Sequence, residues 1–328
     1  MILVGDIGGT HSRLAYYEYK DNRLTCLVDK AYQSTEHSGL EEIVRKFIAE
    51  HRERATLACF GVPGPVRNRR ARITNLPWIV DSSSLEQRLG LARAMVINDL
   101  EAIAYSVGVL EPEDLAVVNP GKSKAPGNTA VIAAGTGLGE AGLYWNGSNH
   151  YPFACEGGHT DFAPGDELQD ELLRHLRLQF GHVSWERLIC GPGLVTIYKF
   201  LHDIRGSHEP EWLRLEMQQN DPAQHITQHA VDGTSPLCAQ ALEVFVSLYG
   251  SETGNLALKI MATGGIYLGG GIAPKIVKQL STPSFLKAFT SKGRMSDLLA
   301  NIPVRVILTD RAGLLGAARC AAMRARGE

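Results

Sequence analysis

The first ten residues of the chain, Met1–Thr10, read MILVGDIGGT, and they decide how it folds. A short apolar run leads into a turn at Gly8-Gly9, and Ser12–Tyr19 continues as a second β-like run. Two such runs joined by a glycine turn predict a β-hairpin at the start of the chain. The same pattern of an apolar strand followed by a glycine turn recurs at Gly135–Gly139 and at Gly269–Gly271.

Between these turns, short apolar strands alternate with helical segments. Thr56–Phe60 and Ala94–Ile97 are typical of buried strands, and the apolar spacing of Leu40–Glu50 is typical of a helix. Ser83–Glu86 has the capping-box pattern that opens a helix, and the polar stretch Asp203–Asp232 is predicted as a helical insertion. Further predicted strands are Thr129–Ala134, Ile266–Leu268 and Val304–Leu308. Further helical segments are Leu100–Leu110, Glu167–Phe180, the long amphipathic stretch Pro236–Ile260 and Leu314–Arg324. This alternation predicts an α/β fold.

The composition excludes several classes of protein. The chain has 328 residues, which predicts about two domains, and its 44% hydrophobic and 21% charged content is that of a globular protein. Its 33 basic and 35 acidic residues leave a net charge of −2, so a nucleic-acid partner is not expected.

The cysteines and the apolar runs bear on where the protein works. Its 6 cysteines are scattered and form no CxxC pair, which is typical of reduced thiols in the cytoplasm. The apolar run at the N-terminus is too short for a signal peptide, and no run is long enough to span a membrane. We therefore expect a cytoplasmic protein with no membrane partner.

Two of the glycine turns are suited to binding phosphate. A backbone without Cβ atoms brings several N–H groups close to phosphate oxygens, as Gly8-Gly9 and Gly135-Thr136-Gly137 would allow. Asp6 cannot bind phosphate directly because both are anionic, but it can act through Mg²⁺. The alternative is that each segment is only a tight hairpin turn. Two such turns, each directly after an apolar strand, favour a nucleotide site.

A dinucleotide-binding site is a weaker alternative. Gly137–Gly142 satisfies the pattern GxGxxG, which would indicate a dehydrogenase. That motif should lead into a helix, whereas Leu143–Gly147 is typical of a strand and turn. Gly121-Lys122-Ser123 resembles the end of a P-loop, but the first glycine of that motif is missing.

Polar side chains at three places are suited to a hydroxylated substrate. Asn98-Asp99 follows a predicted strand, where it either caps the next helix or presents a carboxylate that takes a proton from an alcohol. Cys155–Asp161 reads CEGGHTD and matches no zinc-ligand spacing, so a sugar site is favoured over a metal site. Glu186 is either a further sugar ligand or a surface charge paired with Arg187.

Taken together, these segments resemble the bacterial glucokinases of the hexokinase/actin/Hsp70-like superfamily. The resemblance covers nearly the whole chain, in matching order. Its motifs are GDIGGT at Gly5–Thr10, GVPGPV at Gly61–Val66, TNLPW at Thr74–Trp78, IND at Ile97–Asp99, GTGLG at Gly135–Gly139, EGGHTDFAP at Glu156–Pro164, ERLICGPGL at Glu186–Leu194, GGIYLGGGI at Gly264–Ile272 and GLLGAA at Gly313–Ala318.

The resemblance implies a two-lobed hexokinase/actin-like (ribonuclease-H-like) fold, with a mixed sheet and flanking helices in each lobe and the active site in the cleft between lobes. It divides the chain into a small α/β domain, residues 1–109 with 310–328, and a large one, residues 110–309. It implies ATP-dependent phosphorylation of D-glucose at the 6-hydroxyl, within glycolysis, by a homodimer.

The resemblance also assigns roles to residues. Asp99 matches the catalytic base, and Asp6 matches a residue near Mg²⁺, through water. The sugar-contacting positions are matched by Asn98, Asp99, Glu156, His159, Glu186 and Asn75. The ATP-binding positions are matched by Gly5, Asp6, Ile7, Gly8, Gly9, Thr10, Gly135, Thr136, Gly137, Gly269, Gly270 and Gly271.

Some features depart from the family pattern, and some alternatives stay open. His11 stands where asparagine is usual, Glu140 stands where the family is often apolar, and the Asp203–Asp232 stretch does not align. The open alternatives are a hexokinase that also takes mannose, fructose or a hexosamine, and a sugar-sensing ATP-binding protein without activity. The zinc-binding CxCGxxGC run of the repressor/open-reading-frame/kinase group is absent from the sequence. ADP or polyphosphate would fit the glycine turns as well as ATP.

Overall fold

The computed structural model describes residues 1–21, 23–51, 53–73, 76–122, 126–219 and 221–327. The chain forms two compact units. The first contains Met1–Asp114, Tyr151–Ala154 and Thr309–Glu328, and the second contains Leu115–His150 and Cys155–Leu308. Each unit is described separately below.

The first unit is built on a five-stranded mixed sheet. Its strands are β1 (Ile2–Ile7), β2 (His11–Lys20), β3 (Arg23–Gln33), β4 (Leu57–Val62) and β7 (Arg93–Asn98), and β5 (Arg70–Arg72) pairs with β6 (Ile79–Asp81) outside it. Its helices are α1 (Leu40–His51), α2 (Ser82–Leu89), α3 (Asp99–Ser106) and α12 (Ala312–Ala325). The sheet order is β3-β2-β1-β4-β7, with β1 antiparallel to β2 and parallel to β4. The hairpin predicted at the start of the chain is confirmed.

Side-chain alternation along β1 explains why helices cover both faces of this sheet. Leu3 packs in one apolar cluster with Phe47 of α1, whereas Val4 packs in a second cluster with Leu314 of α12. Neighbouring strand residues point to opposite faces, so an apolar run buried on both sides needs a helical layer on each. Complete burial of one such side chain contributes roughly 1.5–3 kcal/mol.

The second unit is larger and contains most of the helices. Its strands are β8 (Leu115–Asn119), β9 (Thr129–Ala134), β10 (Leu138–Trp145), β12 (Gly265–Gly269) and β13 (Val304–Ile307). The first and last residues of β11 (His150–Cys155) also belong to this unit, whereas Tyr151–Ala154 between them belong to the first unit. Its helices are α4 (Glu167–Phe180), α5 (Gly191–Asp203), α6 (Glu211–Gln219), α7 (Pro222–Val231), α8 (Pro236–Ile260), α9 (Val277–Leu280), α10 (Pro283–Thr290) and α11 (Ser296–Ala300). One continuous apolar cluster joins these helices to the sheet.

The two sheets repeat one arrangement of strands. In the first, β1 pairs antiparallel with β2 and parallel with β4, which is parallel to β7. In the second, β9 pairs antiparallel with β10 and parallel with β12, which is parallel to β13. A glycine turn follows the first strand of each hairpin. The predicted α/β class with a mixed sheet in each unit is confirmed.

Most of the predicted elements are confirmed, and two are corrected. Helices α4 and α8 have the bounds that the sequence predicted, and the Asp203–Asp232 stretch contains α6 and α7, as the predicted helical insertion requires. Helix α2 begins at Ser82, and its cap is Asp81, whose carboxylate accepts from the N–H groups of Ser83 and Ser84. Helix α3 ends at Ser106, before Gly108, and is shorter than predicted.

Among the described residues, no helix is both long enough and apolar enough to cross a lipid bilayer. The longest, α8, has 25 residues and packs against the second sheet and its neighbouring helices.

Candidate active site

The first glycine turn joins β1 to β2 and is held by side-chain and backbone hydrogen bonds. The Gly8 N–H donates to the His11 carbonyl at 2.8 Å, and the Ser34 hydroxyl donates to the Gly8 carbonyl at 2.8 Å. Gly9 is half-buried and Thr10 is exposed, so both are open to a ligand. The turn is thus a hairpin turn, as the alternative interpretation held, and it also leaves its tip accessible.

Two residues assigned to this turn serve the packing of the sheet instead. A side chain at Gly5 would collide with Phe60 and Leu14, so Gly5 lets neighbouring strands pack closely. Ile7 is buried in the apolar cluster against α1. Contact of these two residues with a nucleotide therefore stays a prediction.

Asp6, near the end of β1, is the first candidate for chemistry in this unit. Its pKa is raised to about 6, first by burial and then by the negative charge of Asp99, while Arg13 opposes the shift. Gly313, at the start of α12, lies against it, since a Cβ atom there would be 2.6 Å from Asp6 Oδ2. Gly313 was quoted in a motif but given no role, because a glycine carries no chemical signal of its own.

Asp99 is the first residue of α3, directly after β7. Its Oδ1 accepts a hydrogen bond from the Leu100 N–H at 2.8 Å, which orients the carboxylate. Strands β1, β4 and β7 are parallel, so Asp6 and Asp99 lie at the same edge of the sheet. The effect of Asp99 on the pKa of Asp6 shows that the two carboxylates interact.

Asn98 is the N-cap of α3. Its Oδ1 accepts from the Leu100 N–H at 2.9 Å and from the Glu101 N–H at 3.3 Å. Its Nδ2 donates to the Gly64 carbonyl at 3.1 Å, which ties the cap to the GVPGPV turn. The capping interpretation of Asn98 is therefore confirmed, and contact with a sugar stays a prediction. Asn75 lies outside the described residues.

In the second unit, the turn after β9 contacts Glu186. The Gly135 N–H donates to the Gly137 carbonyl, and the Leu138 N–H donates to Glu186 Oε2 at 2.9 Å. A Cβ atom at Gly137 would be 2.5 Å from the same oxygen. Glu186 is therefore a structural partner of the predicted phosphate turn, and its pairing with Arg187 is not among the ion pairs of the described residues.

Glu186 also reaches the predicted sugar segment. His159 lies between two carboxylates, with Nδ1 3.8 Å from Glu186 Oε1 and Nε2 3.9 Å from Glu156 Oε2. His159 and Glu156 are mostly exposed, at 60% and 72%, and Glu186 is 33% exposed. The structure thus brings these three predicted sugar ligands together as an open, acceptor-rich surface.

The departure at Glu140 has a structural explanation. Its side chain is buried directly beneath Gly157, where any Cβ atom would collide with it. Burial first, and the charge of Glu252 second, raise the pKa of Glu140 to about 8, against the influence of Lys259. At neutral pH the acid is therefore largely protonated. Glu140 packs against Gly157 of the predicted sugar-binding segment, Cys155–Asp161, and does not face the solvent.

A cavity of about 1060 Å³ in the second unit joins two of the predicted nucleotide segments. Gly135 and Thr136 line it on one side, and Gly271 lines it on another. Gly270, at φ 82°, packs against Ala134 and supports the turn without lining the cavity. Gly269 is buried at the end of β12.

Sequence reasoning missed much of the wall of this cavity. Two lysines, Lys199 and Lys275, line it, and so does the start of α5. Helix α7 contributes the residues Pro222, Ala223, Gln224, Thr227, Gln228 and Val231. The only signal for α7 was the irregular, unaligned stretch, which gave no indication of a ligand.

The rejected dinucleotide motif is a strand in the structure. Gly139–Gly142 lies within β10, so the GxGxxG match does not open a helix. His11, the other departure from the family pattern, contacts Gln33 through Nε2 at 3.0 Å on the surface of the first sheet.

Several known proteins that this chain resembles are glucokinases. The family model described as Glucokinase matches residues 3–324. The glucokinase of Nostoc sp. is 40% identical over 341 residues, which cover 98% of this chain and 99% of that protein. The crystal structure of a glucokinase from an Antarctic psychrotroph superposes with a TM-score of 0.86 at 31% identity, over 98% of both chains.

A more distant solved structure shows the fold alone. It is a ROK family glucokinase from Streptomyces griseus in complex with glucose and AMPPNP, with a TM-score of 0.66 at 21% identity, over 98% of this chain and 99% of that one.

Proposed function

The chain belongs to the glucokinase family, whose enzymes phosphorylate glucose with ATP, and we propose that Asp99 is the general base of this reaction in it. The observation that carries the proposal is the pair of interacting carboxylates, Asp99 and Asp6, at one edge of the first sheet. One carboxylate is oriented by a backbone N–H and the other lies beside the first glycine turn. A base and a cation-binding group side by side are what phosphoryl transfer to an alcohol requires.

The proposed role of Asp99 is to orient the glucose 6-hydroxyl and accept its proton. Phosphoryl transfer has a loose transition state, so the nucleophile needs precise placement and its proton leaves late. The hydrogen bond from the Leu100 N–H fixes the carboxylate at the N-terminus of α3, where a negative charge is favoured. Both effects hold the carboxylate in a fixed place from which it can accept the proton of the alcohol.

Asp6 fits a magnesium ion bound through water. The negative charge of Asp99 helps to raise the pKa of Asp6, and a divalent cation would offset that repulsion. Mg²⁺ prefers oxygen ligands and keeps several of its waters. When bound, it would neutralise the charge on the terminal phosphates of ATP. The Gly8–Thr10 turn, directly after β1, would supply backbone N–H donors.

The second unit carries the proposed nucleotide pocket. Its cavity is lined by Thr136 of one predicted segment and Gly271 of another, with Lys199 and Lys275 providing positive charge. A volume of about 1060 Å³ is sufficient for a nucleoside triphosphate, since pockets for small molecules hold roughly 300–1,000 Å³. The structure of the Streptomyces griseus relative contains AMPPNP, an ATP analogue.

Glucose recognition in the second unit is proposed for Glu156, His159 and Glu186, and a contact of Asn98 with glucose is proposed on the family resemblance alone. Carboxylates accept from hydroxyl groups, whereas imidazole can donate or accept, so the three groups around His159 can bind several hydroxyls at once. A site that pairs with each hydroxyl rejects an analogue lacking one by roughly 10⁴-fold. Asn75 stays a prediction of the family resemblance.

The Asp99→Asn variant tests this proposal. It keeps the side-chain shape and removes the base, so kcat should fall by roughly 10²–10⁴-fold in a coupled assay of ADP formation. Glucose binding, measured by calorimetry, should change by less than about threefold. The matched control is Asp297→Asn, because Asp297 is exposed on the second unit, and it should keep wild-type turnover. Near wild-type kcat in Asp99→Asn would exclude the role proposed for it.

Three further features rest on the family resemblance, and we propose them on that ground: a homodimer, a cytoplasmic location and a place in glycolysis. Sedimentation analysis at several protein concentrations tests the first. A panel of glucose, mannose, fructose and hexosamines, each with ATP, ADP and polyphosphate, tests whether glucose and ATP are the preferred substrates.

A further inference from the structure

The helical insertion carries three side chains with metal-binding atoms that no step of the proposed reaction uses. Helix α6 supplies Glu216, and α7 supplies His225 and His229. Glu216 Oε1 lies 3.0 Å from His225 Nδ1, and Glu216 Oε2 lies 2.9 Å from His229 Nε2. The three ligand atoms all lie within 4.8 Å of one another.

The spacing of these atoms fits a coordinated ion. His225 and His229 are one helical turn apart, so their rings stand on the same face of α7, with centroids 6.3 Å apart and planes inclined by 21°. A tetrahedral zinc ion with bonds of about 2.0–2.2 Å places neighbouring ligand atoms about 3.3 Å apart. The two separations from Glu216, 2.9 and 3.0 Å, are slightly shorter than that value, and no pair of ligand atoms is more than 4.8 Å apart, so small side-chain rotations are enough to admit an ion.

Contacts around His229 hold its ring in the orientation that coordination needs. Its Nδ1 lies 2.7 Å from the Thr234 hydroxyl, while its other nitrogen faces Glu216. The edge of the Trp212 ring packs against the imidazole, with centroids 4.9 Å apart. Metal-binding histidines usually hydrogen-bond through the nitrogen that does not bind the metal, and this fixes the tautomer. The Thr234 contact has that form.

We propose that Glu216, His225 and His229 form a binding site for a divalent transition-metal ion, with zinc favoured. Two imidazoles and one carboxylate are a donor set suited to zinc and its neighbours, whereas magnesium prefers oxygen ligands alone. Water completes the coordination. The nitrogens that face Glu216, His225 Nδ1 and His229 Nε2, would bind the ion, so each neutral ring would carry its proton on the other nitrogen, and His229 Nδ1–H would donate a hydrogen bond to the Thr234 hydroxyl.

The site is partly shielded from solvent, which favours binding over loose surface association. The side chains of His225 and His229 are 19% and 16% exposed, and that of Glu216 is 38% exposed. In the absence of metal, His229 hydrogen-bonds Glu216, and His225 contacts the same carboxylate. That arrangement is the competing explanation, and the experiment below separates it from the proposal.

The test is calorimetric titration of the full-length protein with ZnCl₂ after chelator treatment and removal of the chelator. The wild type should bind one zinc ion at this site, and His225→Gln and His229→Gln should each weaken its affinity on the order of 100-fold or more. Magnesium at about tenfold excess should not displace the zinc. Cobalt binding should give a visible absorption band that both variants lose.

A matched variant controls for the general affinity of histidine for zinc. His202 on α5 is paired with a single carboxylate, Asp203, at 2.6 Å, so His202→Gln should leave the zinc affinity unchanged. Zinc that stays bound equally well in His225→Gln and His229→Gln would show that it binds elsewhere, for instance at cysteine. Such a result, or no stoichiometric zinc binding in the wild type, would overturn the proposal.

A milder variant keeps the test valid if a ligand substitution prevents folding. Thr234→Val retains all three ligands and removes the hydroxyl, which hydrogen-bonds the His229 ring at 2.7 Å and the His229 carbonyl at 3.4 Å. It should weaken zinc binding by roughly tenfold, with the far-ultraviolet circular dichroism of the wild type. Wild-type zinc affinity in Thr234→Val, together with unfolded histidine variants, would count against the site as described.

Discussion

Replacing Glu140 by glutamine should make the second unit less sensitive to alkaline pH. Glu140 is buried beneath Gly157, hydrogen-bonds Glu252, and within the described residues its Oε1 has no hydrogen-bond partner. Burial and Glu252 raise its pKa from 4.5 to about 8. The folded protein therefore holds this proton more tightly than the unfolded chain does. Glu140 therefore makes its full contribution to the free energy of unfolding below pH 4.5, and this contribution is lost as the pH rises through about 8.

The magnitude follows from the same shift. Each pKa unit corresponds to about 1.4 kcal/mol, so full ionisation of Glu140 in the folded state destabilises it by roughly 5 kcal/mol. Between about pH 6 and pH 9 the linkage relation assigns roughly 3 kcal/mol of this loss to Glu140. Glutamine keeps the shape, carries no ionisable proton and offers an N–H donor toward Glu252. Its variant should therefore lack this part of the pH dependence.

The assay is urea unfolding followed by tryptophan fluorescence at several pH values across that range. Three of the four tryptophans, Trp145, Trp185 and Trp212, lie in the second unit, so the signal reports mainly on the unit that contains Glu140. Glu243→Gln is the matched control, because Glu243 is exposed on α8. Equal pH slopes in the wild type and in Glu140→Gln would refute the reasoning.

Two glycine variants test the contacts of the proposed site. In Gly313→Ala the new Cβ atom would be 2.6 Å from Asp6 Oδ2, so the carboxylate must move. We expect kcat to fall by roughly 10²-fold in the coupled assay. The melting temperature should stay within a few degrees of the wild type. In Gly137→Ala the Cβ atom would be 2.5 Å from Glu186 Oε2, and kcat/KM for glucose should fall by roughly tenfold or more. Gly39→Ala is the control for both, because no atom lies within 4 Å of its Cβ position, and activity losses no larger than in this control would contradict both assignments.

The fold was largely predictable because its elements have clear local signals. Helix α8 begins after Ser235, which caps it, and has proline in its first turn, so its start could be read directly. Strand β3 was missed because only Tyr32 in it is fully buried, and the alternation of Leu24, Cys26 and Val28 is obscured by the apolar Leu27 between them. The cap of α2 was misplaced because Asp81 and the serines that follow are all good capping residues.

The candidate site was predictable in its chemical groups but not in its contacts. The interaction between Asp6 and Asp99 depends on the parallel order β1-β4-β7, which no local pattern reveals. Glycines that serve packing, such as Gly5, cannot be told from glycines in an accessible turn by the sequence alone. The part of the cavity wall formed by α7 could not be predicted, since that segment matched no known motif.

Helix α7 has a different neighbour on each of two faces. Ala223 and Thr227 line the cavity, while His225 and His229 face Glu216 on α6. An ion bound between α6 and α7 would restrain the helix that forms this part of the cavity wall, and so would couple the metal site to the cavity. By thermodynamic reciprocity, a bound nucleotide would then change the affinity for the ion by the same factor as the ion changes the affinity for the nucleotide. If both proposals hold, the rate of sugar phosphorylation depends on the supply of the metal ion that the insertion binds.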